Sequence, residues 1–245
     1  MSDNILIIEH DLTIAEFLIE HMQDIGVKVT HCSSYQDGLE MAISQPFSLL
    51  ILGFNMPSCV GLDICQKIKA VNKEQAILMV TFKVPELQQL LCLELGADDY
   101  IADPFNVREL QARVKALLRR VHLLKEIKSE TVVSENDAIC HGQLLINKVT
   151  HEVILRDQNL VLTSTEFNLL SFMAQKPDHV FSRAELLDKV WGYQHSGYEQ
   201  TVSTHINRLR NKLVAGQPNS LNKVFPDIIQ TVFGVGYKFS LAGVA

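Results

Sequence analysis

The strongest constraint in this chain is an alternation that runs through its first half. A short apolar run is followed by a stretch with helical spacing, and then by another apolar run. Ile5-Leu6-Ile7-Ile8 precedes Leu12, Ala15, Leu18, Ile19 and Met22, which share one helical face. Strands are predicted over 27–30, 49–52, 76–80 and 100–101, and further helices over 34–44, 62–71, 85–95 and 106–121. Five strands separated by helices in about 120 residues describe a doubly wound parallel sheet covered on both faces. Such a sheet places its site at the C-terminal strand ends.

The second half is organised differently. Residues 123–137 are polar and read as a linker, which gives a first domain over 1–122 and a last one over 138–245. The last domain opens with short β-like pieces at 143–146, 152–155 and 160–162, an N-terminal antiparallel sheet. Thr163-Ser164-Thr165-Glu166 is a capping box that opens a helix, and Ser182-Arg183-Ala184-Glu185 repeats the device. A third helix is predicted over 200–214. A hairpin of 228–232 and 237–239 follows, joined through Gly234 and Gly236.

Charge and cysteine usage narrow the function. The three segments carry net −6, −2 and +2, so the overall −6 does not exclude a polyanionic partner for the last domain alone. No apolar run approaches the ~18–20 residues of a membrane helix. The N-terminus has no basic segment or cleavage signal. Five scattered cysteines, at 32, 59, 65, 92 and 140, include no Cys-x-x-Cys pair and suit a reducing cytoplasm. Of these, Cys59 is weighed as a redox sensor.

The third helix is the most informative element. Val202, Ile206, Leu209 and Leu213 form one apolar stripe, and Gln200, Thr204, Asn207, Arg208 and Asn211 are predicted on the opposite face. His205 and Arg210 flank them. Amides and an arginine suit base edges, and cations suit phosphates. A capped helix before it and a glycine-containing hairpin after it complete a winged helix-turn-helix.

Several separated motifs in this half are similar to the OmpR/PhoB-type effector domain. They are Thr163-Ser164-Thr165-Glu166-Phe167, Ser182-Arg183 with Val190-Trp191-Gly192, Thr201-Val202 with His205-Ile206, Arg208-Leu209-Arg210, and Gln230-Thr231-Val232 with Gly236-Tyr237. The first half resembles the receiver domain of the same response regulators, most clearly at Gly96-Ala97-Asp98-Asp99-Tyr100-Ile101 and Pro104-Phe105. The resemblance implies a flavodoxin-like (βα)5 receiver, a linker and a winged helix that binds double-stranded DNA, at direct or inverted half-sites, as a dimer. The implied mechanism is binding rather than catalysis.

Side-chain chemistry suggests the base contacts, and the resemblance implies those to the backbone. Arg208 is expected to point outward to a guanine, Thr204 to a thymine methyl and Asn207 to an adenine edge. His205, Arg210, Thr231 and Tyr237 are expected on the DNA backbone, with Gln200, Thr201, Ser203 and Phe233 completing the interface. Gln200 and Phe233 stand where relatives often carry arginine. The loop 191–199 is an expected RNA polymerase contact. Self-association is expected through the helix 85–95, using Leu87 and Leu91, and through the charges Asp98, Asp99, Glu109, Arg113 and Lys115.

A phosphate-accepting receiver, by the same resemblance, needs two acids after the first strand for Mg²⁺. It also needs an aspartate nucleophile after the third strand and a lysine after the fifth. Magnesium wants hard oxygen ligands, and attack on phosphorus wants a carboxylate. Here the acid pair reads Glu9-His10, with Asp11 next to it, and the nucleophile position is Gly53, two residues before Asn55. The lysine position is Asp103, whereas Thr81 and the switch aromatic Tyr100 match. The expectation is a regulator independent of aspartyl phosphorylation, with no cofactor or resident metal. A second reading stays open: a ligand-, redox- or partner-sensing switch that uses the same pocket to gate DNA binding.

Overall fold

The computed structural model describes residues 3–54, 60–81, 93, 95–129, 138–192, 199–215 and 227–244. They divide between two units, Met1–His122 and Leu123–Ala245. In the first unit, β1 (Asn4–Ile8), β2 (Lys28–Cys32), β3 (Leu49–Phe54), β4 (Ile77–Thr81) and β5 (Asp99–Ala102) form one sheet in the order β2-β1-β3-β4-β5. All four pairings are parallel. The four residues Ile5–Ile8, like Leu49–Leu52, are buried throughout, as a strand covered on both faces must be.

The helices α1 (Leu12–Gln23), α2 (Tyr35–Ser44), α3 (Val60–Val71) and α4 (Val107–Ser129) follow the predicted spacing. Asp11 starts α1 by accepting from the amides of Thr13 and Ile14, and Ser34 starts α2 by accepting from Asp37. On α4, Leu110, Val114 and Leu117 pack against the sheet. This helix runs eight residues past its predicted end at 121, into the segment read as linker. Most of the helix predicted over 85–95 lies outside the described residues, as do residues 130–137. Leu93 is described, and it is fully buried.

The second unit opens with an antiparallel sheet of β6 (Ala138–His141), β7 (Leu144–Asn147), β8 (Glu152–Leu155) and β9 (Gln158–Leu160). The sequence does not signal β6, a four-residue edge strand whose alternate residues are exposed. Nor does it signal β10 (Val180–Ser182), which pairs with the final hairpin. The helices are α5 (Ser164–Ala174), the single turn α6 (Arg183–Leu186) widening through Leu187–Trp191, and α7 (Glu199–Ala215). The strands β11 (Ile229–Val232) and β12 (Gly236–Phe239) form the wing, and the sheet order is β10-β12-β11. Val202, Ile206, Leu209 and Leu213 of α7 all enter the core beside Phe167, Leu170 and Trp191. No helix among the described residues is long and apolar enough to cross a membrane.

Candidate nucleic-acid interface and receiver pocket

Parallel pairing gathers the strand ends of the first unit at one edge, and Glu9, Gly53, Thr81 and Asp103 follow or close those strands. Glu9 is fully buried. Its Oε1 accepts from the Asp11 amide at 2.8 Å and lies 3.1 Å from Nδ1 of His10, whose ring is half exposed. Its Oε2 is buried with no hydrogen-bond partner among the described residues. That oxygen lies 1.7 Å from where a Cβ on Gly53 would stand. The Glu9 carboxylate therefore fills the space that any side chain at 53 would need.

The surrounding groups brace this arrangement. The Tyr35 hydroxyl donates to the Gly53 carbonyl at 3.3 Å. Burial, with the nearby charge of Glu9 adding to it, pushes the Tyr35 phenol up to about 12. Nε2 of His31 lies 2.9 Å from the Glu9 carbonyl. Thr81 is buried and donates to Ile101 on β5 at 3.3 Å, and Tyr100 is also buried. Asp103 is exposed, and Asp11 is committed to capping α1. Asn55 and Cys59 lie outside the described residues.

On α7 a second, polar stripe beside the apolar one is buried or half buried. Thr201, His205, Arg208 and Lys212 recur at i, i+4, i+7 and i+11. Thr201 and His205 are fully buried. Nδ1 of His205 lies 2.9 Å from the Thr201 carbonyl, and its ring meets Trp191 edge-on at 5.1 Å. Arg208 does not point outward: its side chain is 14% exposed and its guanidinium reaches Oε1 of Glu166 at 3.1 Å. Lys212 takes Oε2 of the same carboxylate. Thr204, also expected outside, is 8% exposed and donates to the Gln200 carbonyl. An apolar count alone places these residues on the free face because it overlooks a polar stripe with its own buried partners.

Glu166 holds this arrangement from the opposite helix. Its carboxylate accepts from the Thr163 amide at 2.8 Å, completing the capping box of α5. Burial alone would push its pKa up, but the charges of Arg208 and Lys212, with two hydrogen bonds, hold the carboxyl below the usual range. One carboxylate thus starts α5 and grips α7. The capping box and the polar stripe are both visible in the sequence, but nothing in either motif says that they meet.

The exposed side of α7 carries Gln200, Asn207, Asn211 and Val214. Ser203 and Arg210 sit at its edge, half buried and tied to the wing. Arg210 donates through Nε to the Ile229 carbonyl at 2.9 Å and through its terminal nitrogen to Thr231 at 2.8 Å. The Tyr237 hydroxyl donates to Ser203 at 3.1 Å, and the guanidiniums of Arg183 and Arg210 both lie over the Tyr237 ring. Phe233 stands at the wing tip, 93% exposed.

Residues 5–115 match the family model described as the response regulator receiver domain, and residues 157–239 match that for the C-terminal domain of transcriptional regulatory proteins. The transcriptional regulatory protein SrrA of Staphylococcus aureus is 35% identical over 241 residues, which cover 98% of this chain and 97% of SrrA. The chain belongs to the OmpR/PhoB-type response regulators. It is a DNA-binding transcription factor of a two-component system and not an enzyme. Two solved structures, both of RitR mutants, share its fold. One matches at a TM-score of 0.72 with 26% identity, and the other at 0.70 with 24%. Each match covers 98% of this chain and 99% of the other.

The family implies a Mg²⁺ ion at the strand ends, and the residues present do not fit it. The positions that would hold it offer the Glu9 carboxylate, an imidazole at 10 and a glycine at 53, with Asp11 capping α1 and Asp103 exposed, whereas Mg²⁺ wants a near-octahedral set of oxygens. Among the described residues no cluster of three His, Cys, Asp or Glu is placed to hold a metal. Charges expected at the dimer face make ion pairs within the receiver unit. Asp98 is buried between Lys69 and Arg120, at 2.8 Å from each. Asp99 is buried against Arg113, which also holds Glu109 at 3.0 Å. These groups are paired inside their own unit, and Lys115 alone of the five is exposed. Leu87, Leu91 and residues 193–198 of the 191–199 loop lie outside the described residues.

Proposed function

We propose that this regulator is cytoplasmic, acts as a homodimer and binds duplex DNA without phosphorylation of its receiver. The observation that supports independence is the contact of Glu9 with Gly53: the acceptor position has no side chain, and a carboxylate already occupies the space. Asp103 adds a negative charge where a cation would neutralise a phosphoryl group. The exposed amides of Gln200, Asn207 and Asn211 would read base edges, where paired donors and acceptors suit adenine. Arg210 and Thr231 would set the wing on the backbone, and Arg208 and His205 would act from within by holding α7. Self-association is assigned to the receiver face, with Lys115 as its exposed charge, and polymerase contact to the 191–199 loop.

Treatment of the full chain with acetyl phosphate should leave its intact mass unchanged. A hydroxylamine-sensitive phosphoryl adduct would contradict the proposal. The sensing alternative has one observation in its favour: Oε2 of Glu9 is buried with no hydrogen-bond partner among the described residues, and a donor group on a ligand would satisfy it.

A further inference from the structure

We propose that Phe233 is an apolar wedge that enters the DNA minor groove and opens a flexible base step. The inference rests on the DNA-binding assignment and goes beyond it by naming how the wing engages. Phe233 is 93% exposed, and Val235, two residues on, is 54% exposed. Gly234 between them turns the chain at φ 75°, a conformation glycine adopts freely, and Val235 donates back to the Val232 carbonyl at 3.0 Å. The tip is therefore a tight turn that presents an aromatic ring to solvent.

This ring is held in a defined place relative to the exposed side of α7. Arg210 joins β11 to the helix at Ile229 and Thr231, and Tyr237 joins β12 to it at Ser203. Whatever lies along Gln200, Asn207 and Asn211 thus also meets the wing. Between residues 229 and 239 the only charged side chain is Lys238, whose ammonium faces Asp178 at 3.9 Å. The cations beside the wing, Arg210 and Arg183, pack at its base against Thr231 and Tyr237, so the tip itself offers apolar contact rather than charge. Apolar side chains inserted between base pairs partly unstack them and bend the duplex. Pyrimidine–purine steps yield most easily, so the wedge adds a preference for such a step at a position no hydrogen bond reads.

The test uses duplexes recovered from a random library by the full-length chain, with 2-aminopurine placed in turn at each step beside the protected region. Wild type should raise fluorescence at one pyrimidine–purine step and bend the duplex. Phe233→Ala should abolish both and weaken binding roughly 10-fold, the scale of one lost base–aromatic contact, with an unchanged salt slope. Phe233→Arg should recover affinity while steepening the salt slope by about one. The wedge is excluded by a Phe233→Ala variant that keeps affinity and bend. It is equally excluded by a DNA-free self-association that Phe233→Ala abolishes, which would assign the tip to a second copy. Failure of wild type to recover any duplex would overturn the DNA-binding assignment itself, and the wedge with it.

Discussion

Glu166→Ala is expected to cost the second unit more stability than the loss of any other helix-capping side chain in it. The substitution removes the reciprocal half of the α5 capping box, a loss of about 1 kcal/mol. It also removes the carboxylate that faces Arg208, 14% exposed, at 3.1 Å, and breaking a largely buried pair costs about 3–5 kcal/mol. Trp191, the only tryptophan in the chain, packs in this unit against His205 and reports its unfolding by fluorescence in denaturant. Because Glu166 has its carboxyl held below 4.5 in the folded unit, its contribution is complete above that value and fades as pH falls through the lower folded one. The gap between wild type and Glu166→Ala should therefore narrow in acid. Arg208→Ala should resemble it, lowering stability while leaving base preference intact. A variant of normal stability with one relaxed base position would mean that Arg208 leaves Glu166 to meet DNA.

The second large effect is expected at the receiver pocket. Gly53→Asp places a Cβ 1.7 Å from Oε2 and 2.6 Å from Cδ of Glu9, so the carboxylate must swing away. Doing so breaks its hydrogen bond from the Asp11 amide and its contact with His10. Crowding of this kind costs about 1–3 kcal/mol, and a second carboxylate beside the first adds like-charge repulsion. Glu9→Ala should relieve both, so the double variant should be more stable than Gly53→Asp alone. Thermal unfolding of the full chain, followed by circular dichroism, gives the cycle. Strictly additive changes would mean that Glu9 does not occupy the space at 53.

Much of this architecture can be read from sequence, because burial on both faces leaves uninterrupted apolar strands and a helix buried on one side leaves a stripe. Ile5–Ile8, Leu49–Leu52 and the Val202–Leu213 stripe fall where their spacing puts them. The capping box at Thr163 and Glu166 is local chemistry and is equally visible. What the sequence hides is tertiary pairing of polar groups. Arg208, Asp98, Asp99 and Arg113 have the composition of a solvated or interfacial surface, and only the fold shows partners inside the same unit. The replacement at Gly53 is legible as a missing nucleophile. That Glu9 fills the gap is not, because it depends on the parallel register that sets Ile8 beside Leu52 and so brings residues 9 and 53 together. The edge strand β6 escapes a reading of the sequence because a half-exposed strand of four residues carries too little apolar periodicity.

Whether DNA binding waits on phosphate shows in the affinity of the untreated full-length chain for its selected duplex, compared with that of the same chain after acetyl phosphate. One binding curve and one salt slope are expected for both samples. A tightening of tenfold or more after treatment, lost on removal of the phosphoryl group, would contradict it.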